Sequence, residues 1–514
     1  ALSFYLSLGE NQGRSFTFPV AKTEEEIFAE VETQIGRPLN DADKEKVREA
    51  RRQSYRNKTA KRSYADYQGG YFGAEETSLA LLPEFLRAED LTDWLFAYQI
   101  EDDEAYNYAL ARWRENKSDL WLMTALSKAD ADSADLKSLL EEAERISPYA
   151  PAFATVVYHT ARIFIAQGKA VEARRLLDEI LNSTLDLPIS SRNLFLEQRM
   201  TLAETLDDFL KHAQRKPFAF DFDGSTGTIE EFIAEQKSWY DPKYYKDQTR
   251  EEYEHEVEER YREEKNWQDR LMFDNDAVEI ISRHFPLAVL VEAQKSPALP
   301  EYLRKQLATA IWTRAVLLDN EPMARKIAPE FVRLAPEFAE LFALYQKAPT
   351  PLERKRAALF LILKNPILSP YIESGMGKTD NEATNFDADD WWCEPYDSES
   401  TNDGGQNSKT LPKRPAFLTK AQSDAAQAER EKLKEIGDAP KFFGATVLAW
   451  QKAAPLDKRV PESLFITFQA NGWTKYGCGN NIELRGKIGH VLKSRYPRSE
   501  WTTKVFQEEE EAGN

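Results

Sequence analysis

Two cysteines and five histidines in 514 residues leave little material for metal chemistry. No CxxC or CxxCH spacing occurs, which sets aside cysteine-built zinc and haem sites, and neither a metal nor a cofactor is expected. No uninterrupted apolar stretch approaches the roughly 18 residues of a membrane-spanning helix. Positive charge is also scarce: 68 Lys and Arg stand against 87 Asp and Glu, a net charge of −19. Binding a phosphate backbone needs a basic face, so this balance argues against a nucleic-acid partner. What is present is ordinary for a folded soluble protein, with 42% hydrophobic and 30% charged residues. A chain of this length has room for about three domains.

The cysteines and the first residue bear on compartment. Residue 1 is Ala, not Met; the expectation is an exported protein whose leader has been removed, located in the periplasm or at the cell surface. Cys393 lies in Trp391-Trp392-Cys393-Glu394-Pro395, and Cys478 in Lys475-Tyr476-Gly477-Cys478-Gly479. Both settings are loop-like. An even count in loops fits one Cys393–Cys478 disulfide formed under oxidising conditions, which on the chain-entropy account contributes about 4 kcal/mol.

Four segments are expected. Residues 1–75 hold a short strand (Ser15–Val20), charged helices from Thr23 and from Asp41, and an aromatic-glycine loop from Tyr64 through Gly73. Residues 76–350 read as helical almost throughout, with apolar spacing of three and four in Leu91–Tyr98, Ala109–Trp113, Leu120–Leu126 and Leu136–Ala143. Within them an acidic arm spans about 229–270; Glu251–Glu264 alone holds eight Glu and two Arg, the pattern of a long solvated helix or helical arm held by i,i+4 pairs. Residues 351–430 combine a helix with a long polar loop, and 431–514 hold the C-terminal helix pairs Phe442–Lys452, Val460–Asn471 and Ile482–Arg495.

The best-defined unit is Ala154–Leu187. Ala161 and Ala173 let two helices approach closely, Phe164 and Leu177 fill the groove, Gly168 turns the chain, and Ile180 closes the second helix. These spacings resemble the tetratricopeptide repeat. Leu287–Asp319 and Pro322–Ala348 match it only as helix pairs, and the period is not constant. The ending Tyr496-Pro497-x-Ser499-x-Trp501 is similar to the closing turn in uncharacterised helical-repeat proteins of the bacterial cell envelope. The resemblance implies an all-α, irregular tetratricopeptide-like α-solenoid of antiparallel helix pairs with long polar loop insertions.

Several short motifs fail in context. Phe220-Asp221-Phe222-Asp223-Gly224-Ser225-Thr226 mimics the first motif of haloacid-dehalogenase-like phosphatases, but that chemistry needs a parallel sheet and the flanks here are helical. The sequence around it reads as a turn with a helix N-cap. Gly375-Met376-Gly377-Lys378-Thr379 ends like a Walker A loop, yet Ile372 stands where its first glycine belongs. His255-Glu256 is followed by Glu259 where a zincin needs a second histidine. Asn385, Asp387, Asp389 and Asp390 offer oxygen ligands without the glycine and terminal Glu of a calcium loop. His159 reads as a satisfied packing residue on a repeat helix.

With no catalytic constellation converging, the expected function is non-enzymatic: protein–protein interaction or a scaffold role in an envelope-associated, multi-subunit assembly, with no transmembrane span of its own. The candidate partner surface comprises Trp391, Trp392, Tyr244, Tyr245, Tyr253 and Tyr261. The alternative is a carbohydrate-binding protein or glycan-active enzyme whose aromatic-lined cleft uses Trp391, Trp392 and Tyr64–Phe72.

Overall fold

The computed structural model describes residues 28–29, 31–32, 36–40, 42–48, 90–99, 103–217, 220–222, 225–246, 248–262, 270–375, 391–393, 412–472, 478 and 481–512. The Ser15–Val20 strand, the Tyr64–Gly73 loop and the Asn385–Asp390 cluster lie outside them. The described protein is all-α, with only two short two-stranded ribbons. In chain order, the first elements are α1 (Asp90–Gln99), α2 (Asp103–Asn116), α3 (Asp119–Lys128), α4 (Leu136–Ala143), α5 (Phe153–Ala166), α6 (Ala170–Leu181), α7 (Ile189–Thr201) and α8 (Leu206–His212). Next come β1 (Gln214–Arg215), β2 (Phe220–Phe222), β3 (Ser225–Gly227), α9 (Ile229–Ser238), α10 (Arg250–Arg260), β4 (Met272–Phe273), α11 (Asn275–His284) and α12 (Leu287–Gln294). The remainder is α13 (Glu301–Leu317), α14 (Glu321–Leu334), α15 (Ala339–Lys347), α16 (Pro351–Lys364), α17 (Lys420–Ile436), α18 (Ala439–Ala453), α19 (Val460–Ala470), α20 (Ile482–Arg495) and α21 (Glu500–Ala512).

The chain divides into two compact units: Ala1–Arg199 with Lys216–Gln268, and Met200–Arg215 with Asp269–Asn514. The stretch 76–350, expected as one run of repeats, thus contributes to both.

In the first unit each helix packs chiefly on its neighbours in sequence. The apolar stripes of α1 to α5 meet in one core around Trp94, Trp113, Trp121, Leu126 and Leu139. Two of the three buried indoles have their N–H groups satisfied where α1 meets α3: Trp94 donates to the Leu120 carbonyl (3.0 Å) and Thr124 Oγ1 (2.8 Å), and Trp121 donates to Asp90 (2.8 Å). Buried Asp93 is matched by the Tyr108 hydroxyl at 2.6 Å and Arg112 at 3.2 Å, so its charge is neutralised inside the core. The α5–α6 pair follows the expected repeat unit. Gly168 makes its turn at φ +73°, a conformation that penalises any side chain, and Ala161, Ala173 and Leu177 are fully buried. Phe164 departs from expectation; it is only half-buried, with Lys169 over its ring at 5.7 Å. Nearer the N-terminus, Phe28, Val31, Leu39 and Val47 form a small separate cluster.

The second unit has one extended core. Trp312, Phe331, Phe342 and Tyr345 stack across α13, α14 and α15 at centroid separations of 5.0–5.5 Å. Fully buried Arg314 donates to the carbonyls of Pro370 (3.0 Å) and Phe285 (3.3 Å), joining distant loops. Glu429 on α17 accepts the Leu287 N–H with both oxygens (3.1 and 2.9 Å), closing the N-terminus of α12. Further on, α18 and α20 approach so closely that a Cβ on Gly444 would lie 2.7 Å from Leu484.

Candidate interaction surfaces

Of the two forms expected for the acidic segment, a long helix or a helical arm, the structure shows an arm: a helical hairpin of α9 and α10. The chain turns through Asp241-Pro242, and each helix begins with a capping box: Thr228 with Glu231, and Thr249 with Glu252. The Thr249 amide and hydroxyl hold the Glu252 carboxyl below the usual range. Ile229, Ile233, Tyr253 and Val257 form the hairpin's own small core. Around them Tyr240, Tyr245 and Tyr253 group at 4.6–5.9 Å, and Phe232 meets Tyr261 edge-on at 5.2 Å. The Tyr253 hydroxyl donates to the Gln236 carbonyl (3.1 Å) and that of Tyr240 to the Gln248 carbonyl (2.8 Å). The i,i+4 pairs Arg250–Glu254 and Arg260–Glu256 lie on the outside, as expected of a solvated helix.

Of the six residues expected to form a partner surface, the structure leaves two well exposed. Tyr244 is 77% and Tyr245 38% exposed, joined by Trp239 at 57%, a residue outside the expected six. Among the described residues the Trp239 side chain has no ring, cation or hydrogen-bond partner. Tyr253 is buried in the hairpin core and Tyr261 is half-buried beside Phe232.

Trp391 and Trp392, in the second unit, are buried as well and offer no such surface. Both rings pack edge-on against Phe443 of α18, at 5.0 and 5.4 Å. The Trp392 carbonyl accepts the Ala439 N–H at 3.1 Å, anchoring the segment at the start of α18. Burial of two indoles outweighs the polarity of the surrounding sequence. The next residue, Cys393, stands at disulfide distance from Cys478, with Cα atoms 5.5 Å apart. With Asp438 these two form the one group of three metal-capable side chains within reach of each other among the described residues, but the sulfurs are directed at each other.

The remaining motifs find structural places. Asp221 lies in an antiparallel ribbon, β2 on β3, paired with Thr226, so the parallel sheet a phosphatase needs is not formed there. Thr228 then caps α9, as the sequence suggested. Gly375 bridges to Phe273, and the rest of its motif lies outside the described residues. Buried His212 is held by the Asp208 carbonyl at 2.8 Å, and His284 by the Pro412 carbonyl at 2.9 Å. His159 is buried, but it is not satisfied as expected: among the described residues neither ring nitrogen has a hydrogen-bond partner, and burial holds its pKa down at about 3.

Comparison with known protein families, curated proteins and solved structures finds no match to this chain.

Proposed function

We propose that the chain is a non-enzymatic interaction or scaffold subunit of a multi-subunit, envelope-associated assembly, built from irregular tetratricopeptide-like helix pairs. The observation that carries this reading is the exposure of Trp239, Tyr244 and Tyr245 on a hairpin whose caps and core are already complete. Large aromatic rings left in water on a preformed element are the usual material of a binding hot spot. Residues 229–262 carry eleven carboxylates against six Lys and Arg, which suits a protein partner with a basic rim. An extracytoplasmic location is supported by the cysteine pair at disulfide distance. No helix among the described residues is long and apolar enough to cross a membrane.

The test is affinity capture from the envelope fraction of the native cells, comparing the wild-type chain with Trp239→Ser/Tyr244→Ser. A stoichiometric protein partner retained by the first and reduced at least tenfold with the second is the expected result. Equal capture by both, or no partner at all, refutes the reading. Retention of both the wild type and the variant on an insoluble glycan, with no protein partner captured, would replace it with the carbohydrate-binding alternative, whose expected cleft does not use the arm.

A further inference from the structure

We propose that His159 and Arg162 on α5, with Lys128 at the end of α3, form a binding site for a small oxyanion, a phosphate or carboxylate group. The proposal stands apart from the partner surface on the arm and does not depend on it.

His159 and Arg162 are three residues apart on one helix and share a face. His159 is 8% exposed, and among the described residues neither ring nitrogen has a hydrogen-bond partner. A buried imidazole with no acceptor for its N–H is costly to keep unless something fills that role. Arg162 repeats the pattern with a full charge. One guanidinium nitrogen, Nη2, donates to the carbonyls of Leu126 (2.9 Å), Ser127 (3.3 Å) and Ala129 (2.8 Å), gathering the open carbonyls at the end of α3. Its Nε–H is buried and has no hydrogen-bond partner among the described residues. No carboxylate forms an ion pair with Arg162 among the described residues; the nearest compensation comes from exposed Asp130 and from Tyr158.

Lys128 completes the group. Its ammonium donates to the Tyr98 carbonyl at 3.2 Å, and its charge, like that of Arg162, bears on His159. Two cations and an imidazole are therefore gathered around buried N–H groups in a chain whose net charge is −19. Elsewhere in this protein buried Arg215 meets Asp276 at 2.6 Å and half-buried Arg112 meets Asp93 at 3.2 Å, while fully buried Arg314 is held by two backbone carbonyls. Among the described residues Arg162, like Arg314, has no carboxylate in an ion pair with it. An oxyanion would accept from the His159 N–H and the Arg162 Nε–H and sit in the field of Lys128, as charge-assisted bonds favour. Arg162 and Lys128 are only half-buried.

The experiment is isothermal titration calorimetry of the full-length protein at pH 7 with sodium phosphate and, separately, sodium acetate, with chloride balanced to constant ionic strength. The expected result is saturable one-to-one binding of at least one of the two, weakened at least tenfold in His159→Leu. Because Arg162 also closes α3, its probe is Arg162→Lys, which keeps the charge and removes the Nε–H; it too should weaken binding, with the circular dichroism unchanged. Tighter phosphate binding identifies a phosphate site, and tighter acetate binding a carboxylate site. No saturable heat with either anion, or an affinity unchanged by His159→Leu, overturns the proposal.

Discussion

Replacing His159 by leucine and following unfolding between pH 7 and pH 5 isolates the cost of one buried imidazole. Its charged form is disfavoured first by burial and then by the charges of Arg162 and Lys128, which hold the folded pKa at about 3. In the unfolded chain the ordinary value near 6.5 applies. The unfolded state therefore binds the extra proton between these values, so the wild type is fully stable above about pH 6.5 and loses stability as pH falls towards 3. From pH 7 to pH 5 the linkage amounts to about 2 kcal/mol. In a folding unit of 150–250 residues that is a fall in Tm of roughly 4–8 °C. A leucine side chain cannot take up this proton, so the gap between variant and wild type should open by that amount on acidification, in chloride buffer. Other groups titrate alike in both proteins and cancel. At pH 7 the variant should be as stable as the wild type or gain ~1 kcal/mol, since two unpartnered ring nitrogens leave the interior. Differential scanning calorimetry at the two pH values reads this directly; parallel pH responses would refute the burial argument.

Other outcomes follow from contacts already described. Non-reduced peptide mapping should link the peptides carrying Cys393 and Cys478, and Cys393→Ala should destabilise the second unit by up to about 4 kcal/mol, read by chemical denaturation. Glu429→Ala strips the Leu287 N–H of its acceptor and should cost about 2 kcal/mol by the same assay, whereas an unchanged midpoint would show that water replaces the carboxylate. Thr249→Ala removes one capping box of the arm; about 1 kcal/mol of local stability should be lost, seen as roughly fivefold faster hydrogen exchange at the first amides of α10.

Regular helices were readable where a single apolar stripe faced a neighbour. The expected bounds Leu136–Ala143 and Ile482–Arg495 are the observed ones, and the Ala161–Ala173 approach lies where small residues permit it. The arm was harder because dense charge conceals its short apolar stripe; yet Asp241-Pro242 and the two Thr-x-x-Glu boxes were local signals for two helices. Burial of Trp391 and Trp392 was not legible, since what covers them is Phe443, about fifty residues on, and a polar neighbourhood in sequence says nothing of that contact. His159 illustrates a different limit. Helical periodicity places it on an inward face, but the want of an acceptor depends on which neighbours arrive there, and only three-dimensional packing determines that.

The central claim is that the exposed rings of the arm meet another protein. A photo-reactive amino acid at position 244, irradiated in the native envelope, tests this most directly, with position 149 as control because Tyr149 is 90% exposed but lies outside the arm. One discrete adduct from position 244 and none from position 149 is the predicted result. The same faint smear from both positions would contradict it.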